Sequence, residues 1–177
     1  MHKLKVEEME RLTLEEYKKA SKIPLIVIVD NVRSIYNVGS ILRTADAFRV
    51  EHVCLCGITS VPPSPEIHKT ALGAEDSVDW TYFKTTAEAC DFARSKGYML
   101  MAVEQVEGSL KLDSEIPPAD GYAVVFGHEV HGVAQEIVDI CDYALEIPQY
   151  GTKHSLNVSV AAGIVMWNFS ELLNKNT

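Results

Sequence analysis

The segment 147–169 constrains the fold most, because a turn, a run of polar side chains and an apolar helix follow one another there. Ser155 and Asn157 can both cap a helix N-terminus, and residues 158–173 contain no proline, so we expect a helix that begins near Ser155. In the first half of this helix only Ser159 is polar, which predicts burial on most sides. The plainer interpretation is a core helix with a polar cap.

Small or flexible residues on this terminal helix would let another backbone approach closely. They are Ser159, Ala162, Gly163 and Met166. A helix that is apolar on all sides needs more cover than one small domain supplies, so we expect a homodimer with this helix in the interface.

The composition indicates one globular domain with a sizeable core. The chain has 177 residues, of which 47% are hydrophobic and 23% are charged. Its formal net charge of -9 argues against a protein that binds nucleic acid through an overall basic excess. A local basic patch is still compatible with this charge.

The cysteines and the apolar runs indicate the compartment. The four cysteines, at positions 54, 56, 90 and 141, form no C-x-x-C pair, and no apolar run is long enough to span a bilayer. With no recognisable signal peptide, a reduced, cytoplasmic protein without membrane contact is predicted. Cys54 and Cys56 would face the same side of a strand, which favours small core residues over a zinc pair.

Apolar runs alternate with helical patterns along the chain, which predicts an α/β fold with a parallel sheet covered on both faces. Ligands of such sheets bind outside the carboxyl ends of the strands. The predicted strands are Leu25–Asp30, Val53–Cys56, Val78–Phe83, Tyr98–Val103, Tyr122–Phe126 and Tyr143–Ile147. The predicted helices are Gly39–Phe48, Thr86–Ser95, Val133–Cys141 and residues 158–173, with loops at 57–65 and 104–120.

Residues 5–20 carry apolar side chains among charges, which favours an amphipathic surface helix. The apolar positions are Val6, Met9, Leu12 and Tyr17. We therefore divide the chain into an N-terminal helical extension, residues 1–22, and one larger domain, residues 23–177.

The loop after Asp30 offers Asn37, Gly39 and Arg43. Asn37 can cap the following helix, Gly39 permits a ligand to approach the backbone, and Arg43 can reach back toward the helix start. An ordinary surface pair of Arg43 with Asp46, three residues later, explains the arginine equally well.

The loop after Phe126 has the sequence Gly127-His-Glu-Val-His-Gly132. It lacks the Lys-Ser/Thr pair of a phosphate-binding loop, and no G-x-G-x-x-G dinucleotide motif occurs in the chain. A metal-dependent hydrolase using His128, Glu129, His131 and His154 is an alternative. The i and i+3 spacing of the first two histidines, between glycines, disfavours a metal site.

Three motifs together closely resemble those of the SpoU (TrmH-like) RNA 2′-O-ribose methyltransferases, a branch of the SPOUT class. The motifs are residues 37–45 (NVGSILRTA), residues 125–133 (VFGHEVHGV), and Ile147-Pro148 with residues 155–161 (SLNVSVA). The resemblance covers about Pro24 to Phe169. It implies a SPOUT fold with a deep C-terminal trefoil knot, an exception to the rule that folds avoid knots. It makes residues 23–177 the catalytic domain.

The resemblance also implies a cofactor, S-adenosylmethionine, and a substrate, tRNA or rRNA. The cofactor-binding residues would be Gly127, Ile147, Leu156, Val103 and Pro148. The catalytic residues would be Arg43, Asn37, Glu129, Ser155 and Asn157. The family is dimeric, which places Arg43 and Asn37 of one subunit beside Ser155–Asn157 of the other. No metal is implied.

The implied roles follow the chemistry of methyl transfer to a ribose hydroxyl. Arg43 acts either as a base or as a clamp on phosphate and developing alkoxide, since a guanidinium rarely accepts a proton. Glu129 orients Arg43 or relays the proton, Asn37 fixes ribose or phosphate, and Ser155 with Asn157 orders the helix start. A family member that binds RNA or the cofactor without methylating is the second alternative.

The chain departs from the family pattern at three positions. His128 and His131 stand where small or basic residues are more usual, and Gln149 stands where methionine is common. It also shows no separate N-terminal RNA-binding domain. RNA would then be held by the catalytic domain itself, with Lys69, Arg33 and Arg49 as the cations, or with a partner's help.

Overall fold

A computed structural model describes residues 1–5 and 8–174 as an α/β protein. The strands are β1 Ile23–Asp30, β2 Val50–Cys56, β3 Trp80–Phe83, β4 Met99–Val103, β5 Leu110–Lys111, β6 Tyr122–Phe126 and β7 Tyr143–Glu146. The helices are α1 Leu14–Lys19, α2 Ile35–Ala47, α3 Pro65–Ala71, α4 Ala74–Ser77, α5 Thr86–Ser95, α6 Gln135–Ile140 and α7 Val158–Asn174.

The strands form one sheet in the order β3-β2-β1-β6-β4-β7-β5, and every pairing between neighbours is parallel. Alternate residues of β1 face opposite sides: Val27 packs into the core under α2 and α7, whereas Ile28 packs into the core under α5 and α6. Both faces are therefore covered, which explains why β1 reads as a continuous apolar run. The predicted α/β class with a parallel sheet is confirmed.

Several helix and strand predictions match the structure closely. α5 and β6 have the predicted bounds, and α5 begins with a capping box between Thr85 and Glu88. The predictions for β1, β2, β4 and β7 err by only a few residues at one end.

The helix starts were predicted less well. α2 begins at Ile35, not Gly39, because the side chain of Ser34 caps it. α7 begins at Val158, not near Ser155, because Asn157 supplies the cap through bonds to the amides of Ser159 and Val160. Asn37 is therefore not the cap of α2.

The prediction of a helix over residues 5–20 was wrong. Among the described residues of this stretch only Leu14–Lys19 is α-helical, and its capping box joins Thr13 and Glu16. Met9 and Leu12 are exposed, so they lack the packing that sustains a short helix, and Val6 lies outside the described residues. Tyr17 is buried. The division at residue 22 stays a prediction.

The loop predicted at 57–65 ends at residue 64, because Pro65 opens α3 as its first residue. α2 packs closely against this helix: a methyl group on Gly39 would lie 2.5 Å from the carbonyl oxygen of Ile67. Gly39 therefore serves helix packing, and the expected approach of a ligand to it was wrong.

α7 is not buried on most sides within this chain. Ala162 and Met166 lie in the core, and Gly163 faces Thr44 of α2, so most of the predicted small-residue face packs inside the same chain. The opposite face is apolar and exposed, with Val160, Ile164 and Trp167 in solvent. Within the described ranges no helix is long and apolar enough to cross a membrane. The trefoil knot stays a prediction.

Candidate functional site

A cavity of about 470 Å³ opens at the carboxyl ends of β6, β4 and β7, which are neighbours in the sheet. Two loops contribute much of its lining. We call residues 127–133, after β6, the closed loop, and residues 148–156, between β7 and α7, the open loop. Apolar lining residues include Val103, Phe126, Leu145, Ile147 and Leu156.

The closed loop is fixed by its own backbone. His128 and Gly132 exchange two backbone hydrogen bonds of 3.0 and 2.8 Å. Gly132 has a φ of +68°, and a methyl group on Gly127 would overlap the backbone of Gly132 and Val133, so both positions require glycine. Glu104, the first residue after β4, accepts the amide of Val133 at 3.0 Å. The loop is thus held from inside and from a neighbouring strand.

Glu129 joins this loop to the N-terminus of α2. Its carboxylate accepts the backbone amides of Arg33 at 3.0 Å and Ser34 at 2.9 Å, and the side-chain amide of Asn37 at 3.1 Å. Burial alone would raise the pKa of Glu129, but the amides of Arg33 and Ser34 outweigh it and hold the pKa below its ordinary value. Glu129 is therefore an anion that caps a helix.

The amide side chains of Asn37 and Asn157 continue this chain of bonds to α7. Because Glu129 only accepts, Asn37 turns its NH2 group to the carboxylate and its Oδ1 to Asn157, which donates at 3.2 Å. The Oδ1 of Asn157 then accepts the amides of Ser159 and Val160. One polar chain therefore links the starts of α2 and α7 and fixes the orientation of both amides. Asn37 was expected beside Asn157 of another subunit, but it binds Asn157 of its own chain.

A second cavity, of about 440 Å³, lies over this polar chain. It shares His128, Glu129 and Val130 with the first cavity. Its other lining residues are Arg33, Ser34, Asn37 and Asn157. A larger cavity with a mixed apolar and polar lining therefore adjoins a smaller, mainly polar one, with Glu129 at the boundary.

Comparison with known proteins decides the family. The SpoU rRNA Methylase family model matches residues 24–167, most of the chain. This chain belongs to the SpoU family.

The relatives agree with this assignment. A Staphylococcus epidermidis protein assigned by name to the TrmH family of tRNA/rRNA methyltransferases is 30% identical over 154 residues, or 87% of this chain. The chain spans only 61% of that relative's length. The AdoMet-bound rRNA methyltransferase of Sinorhizobium meliloti is similar in structure, with a TM-score of 0.79 at 25% identity, covering 89% of this chain and 60% of that one. The TrmH/SpoU tRNA-modifying enzyme of A. aeolicus is also similar in structure, with a TM-score of 0.80 at 25% identity. The match covers 92% of this chain and 83% of that one.

The structure brings together most of the residues that the SpoU motifs single out. Gly127, Ile147, Leu156, Val103 and Ser155 line the first cavity. The carboxylate and amides described above, Glu129, Asn37 and Asn157, line the second. Pro148 lines neither cavity, although residues 147 and 149 on either side of it line the first.

Arg43 lies apart from this group. It is about 12 Å along α2 from Ile35, too far to reach back to the helix start as expected. Its side chain is exposed, and among the residues that the structure describes it forms neither the surface pair with Asp46 nor a bond to Glu129. Asp46 instead accepts a hydrogen bond from Ser77.

Some lining residues were missed. Glu104 was assigned to a long polar loop, yet a charged residue directly after a buried strand is a signal for the carboxyl edge of a sheet. Of the cations expected to hold RNA, Arg33 lines the second cavity. Lys69 lines neither cavity, and Arg49 precedes β2 and so lies at the opposite edge of the sheet.

The histidines of the closed loop stabilise it. Nδ1 of His128 accepts the amides of Val130 at 3.0 Å and His131 at 3.4 Å, and the two imidazole rings stack with centroids 4.8 Å apart. Within the described part of the chain, no three histidine, cysteine or carboxylate side chains form a group that could hold a metal ion. The hydrolase alternative therefore lacks a candidate site there.

Proposed function

We propose that this chain transfers a methyl group from S-adenosylmethionine to a ribose 2′-hydroxyl of tRNA or rRNA. One observation carries the proposal: a cavity large enough for a cofactor, with apolar walls beside polar groups, adjoins a polar cavity built on Glu129, Asn37 and Asn157. Membership of the SpoU family and the AdoMet-bound relative support the choice of cofactor.

The first cavity fits S-adenosylmethionine in size and chemistry. Val103, Ile147 and Leu156 provide apolar walls. Gly127 has no side chain, so the backbone of the closed loop can contact the cofactor directly. The cofactor supplies an electrophilic methyl group when bound. Ser155, which also lines this cavity, would contact its polar end.

The polar cavity would hold the ribose. Asn37 and Asn157 are oriented by the chain of bonds from Glu129, so they can position the sugar without reorganising. Glu129 is a poor proton acceptor, because its carboxylate is already bound by three donors and its pKa is lowered. We assign it a positioning role. A guanidinium such as Arg43 would stabilise the developing alkoxide, and the proton of the 2′-hydroxyl would leave to water.

Methylation of RNA from a strain lacking this gene tests the proposal. The protein is incubated with labelled S-adenosylmethionine and that RNA, and nuclease digests are examined by mass spectrometry. Label in 2′-O-methylnucleosides is the expected result. Label in the bases would overturn the ribose assignment, and cofactor binding with no transfer would favour the non-methylating family member.

We also propose a homodimer in which Arg43 acts on the other subunit. The exposed apolar stripe of Val160, Ile164 and Trp167 on α7 supports this, since such a face is normally covered. A methyl group on Gly163 would lie 3.9 Å from Thr44, so α7 packs beside the part of α2 that carries Arg43, the residue before Thr44.

Complementation tests the shared site. Arg43→Ala and Asn37→Ala proteins, each inactive alone, are mixed and allowed to exchange subunits. A mixed dimer keeps one intact site only if Arg43 and Asn37 of different subunits work together, so activity should return. Continued inactivity of confirmed mixed dimers, or a monomeric wild type by light scattering, would contradict the arrangement.

A further inference from the structure

Tyr150 lies at the rim of the candidate site with its ring almost wholly in solvent. It is 94% exposed, whereas the next most exposed tyrosine, Tyr36, is 50% exposed. Its position in the open loop lies between Gln149 and His154, both of which line the first cavity. A large ring held in water does nothing for folding. Its placement beside a site therefore points to a ligand.

Two cations lie at this edge of the sheet, one in the open loop and one in the second cavity. Lys153, in the same loop, and Arg33, in the second cavity, form no side-chain ion pair within the described ranges. Several other lysines do pair with carboxylates, as Lys18 and Lys96 do at 2.7 Å. In a chain of net charge -9, two unpaired cations at this edge of the sheet favour an anionic ligand there.

We propose that Tyr150 stacks on a nucleobase next to the target nucleotide, with Lys153 and Arg33 on the flanking phosphates. This inference rests on the proposed function and names the substrate class. An aromatic ring combined with cations recognises single-stranded nucleic acid, because only an unpaired base exposes its face for stacking. The substrate is therefore an unpaired loop or end of an RNA, not a continuous duplex.

Kinetics with matched variants test the stacking. Tyr150→Ala, Tyr150→Phe and the control Tyr143→Ala are compared with total RNA from a strain lacking the gene. Tyr143 is also exposed but begins β7, at the opposite edge of the sheet. Tyr150→Ala should raise the KM for RNA between about fivefold and a hundredfold. Tyr150→Phe, Tyr143→Ala and the affinity of every variant for S-adenosylmethionine should stay within about twofold of wild type.

Ultraviolet crosslinking distinguishes contact with RNA from a purely structural role of Tyr150, because only contact produces a crosslink at this residue. Irradiation of the wild-type protein with the same RNA should attach a nucleotide to the peptide that carries Tyr150. An unchanged KM for Tyr150→Ala, or crosslinks only elsewhere, would overturn the inference. A change in the light-scattering mass of Tyr150→Ala would overturn it too, since the ring would then contact a second copy. Crosslinking needs no methyl transfer, so it shows whether Tyr150 contacts RNA even where the proposed function fails.

Discussion

The closed loop and the open loop line the same cavity but are built in contrary ways. In the closed loop, Gly127 packs against backbone, His128 and Gly132 exchange hydrogen bonds, and Glu104 and Glu129 tie the loop to its surroundings. In the open loop, residues 150–156 are all exposed. Among the described residues its one hydrogen bond to the rest of the protein joins Gln105 Nε2 to the carbonyl of His154, at 2.9 Å.

This difference separates two kinds of contribution to the site. The closed loop is ordered by folding, so its geometry exists before any ligand arrives. The open loop has few contacts to offset its conformational entropy, so ligands or a partner must order it. Changes in the closed loop should therefore lower the free energy of unfolding, and changes in the open loop should lower affinity.

Alanine at two glycines gives the largest contrast. Gly127→Ala places a methyl group within the backbone of Gly132 and Val133, and should lower the free energy of unfolding by about 3 kcal/mol. Gly151→Ala in the open loop meets no atom within 4 Å and should change it by less than about 0.5 kcal/mol. Chemical denaturation of both variants checks the pair. Equal losses would show that the two loops do not differ in rigidity.

The next largest effect is expected for Glu129→Gln. A glutamine keeps the shape but must turn an NH2 group toward at least one donor among Arg33, Ser34 and Asn37. The free energy of unfolding should fall by about 2 kcal/mol, since bonds to a charged acceptor are lost. Methyl transfer should fall with it. A variant of wild-type stability would contradict the cap assigned to this carboxylate.

The pH dependence sharpens this prediction. The pKa of Glu129 is lower in the folded protein, so its contribution to stability is fully present above the unfolded pKa. That contribution is lost as the pH falls through the folded pKa. The difference in unfolding free energy between wild type and Glu129→Gln should therefore shrink in acid and stay constant near neutral pH. Denaturation at several pH values measures it.

The sequence predicted those parts of the fold whose signals are local. α5 was correct at both ends because Thr85, Glu88 and Gly97 mark them within the segment. The start of α2 was missed although its cap, Ser34, is a local signal; the amides of Arg33 and Ser34 just before the helix bind Glu129, 95 residues away from Ser34. Such a partner is visible only after folding.

The site shows the same limit. The three motifs singled out Asn37, Glu129 and Asn157, but no spacing reveals that they form one chain of hydrogen bonds. Arg43 was expected to reach the helix start, and only the true start of α2 shows that it does not. Glu104 was passed over because its role depends on Val133, in a strand connection far along the chain.

A third prediction separates the cap of α7 from the link to α2. Asn157→Asp keeps an acceptor for the amides of Ser159 and Val160, and a carboxylate suits a helix N-terminus. It cannot donate to Asn37 Oδ1, so the two oxygens repel and Asn37 loses its orientation. The free energy of unfolding should stay within about 0.5 kcal/mol of wild type, while the rate of methyl transfer falls about tenfold. Unchanged turnover would show that the orientation of Asn37 does not matter.

The smallest effect is expected at the hydrogen bond that joins Gln105 to the open loop. Gln105→Met keeps the length of the side chain and removes the bond to the carbonyl of His154. The melting temperature should not change, because the bond is exposed and the loop contributes little to the core. The loop would then need more ordering on binding, so the Kd for S-adenosylmethionine should rise about threefold, the value of one weak hydrogen bond. Calorimetry measures both quantities on one sample. A lower melting temperature with unchanged affinity would reverse the roles assigned to the two loops.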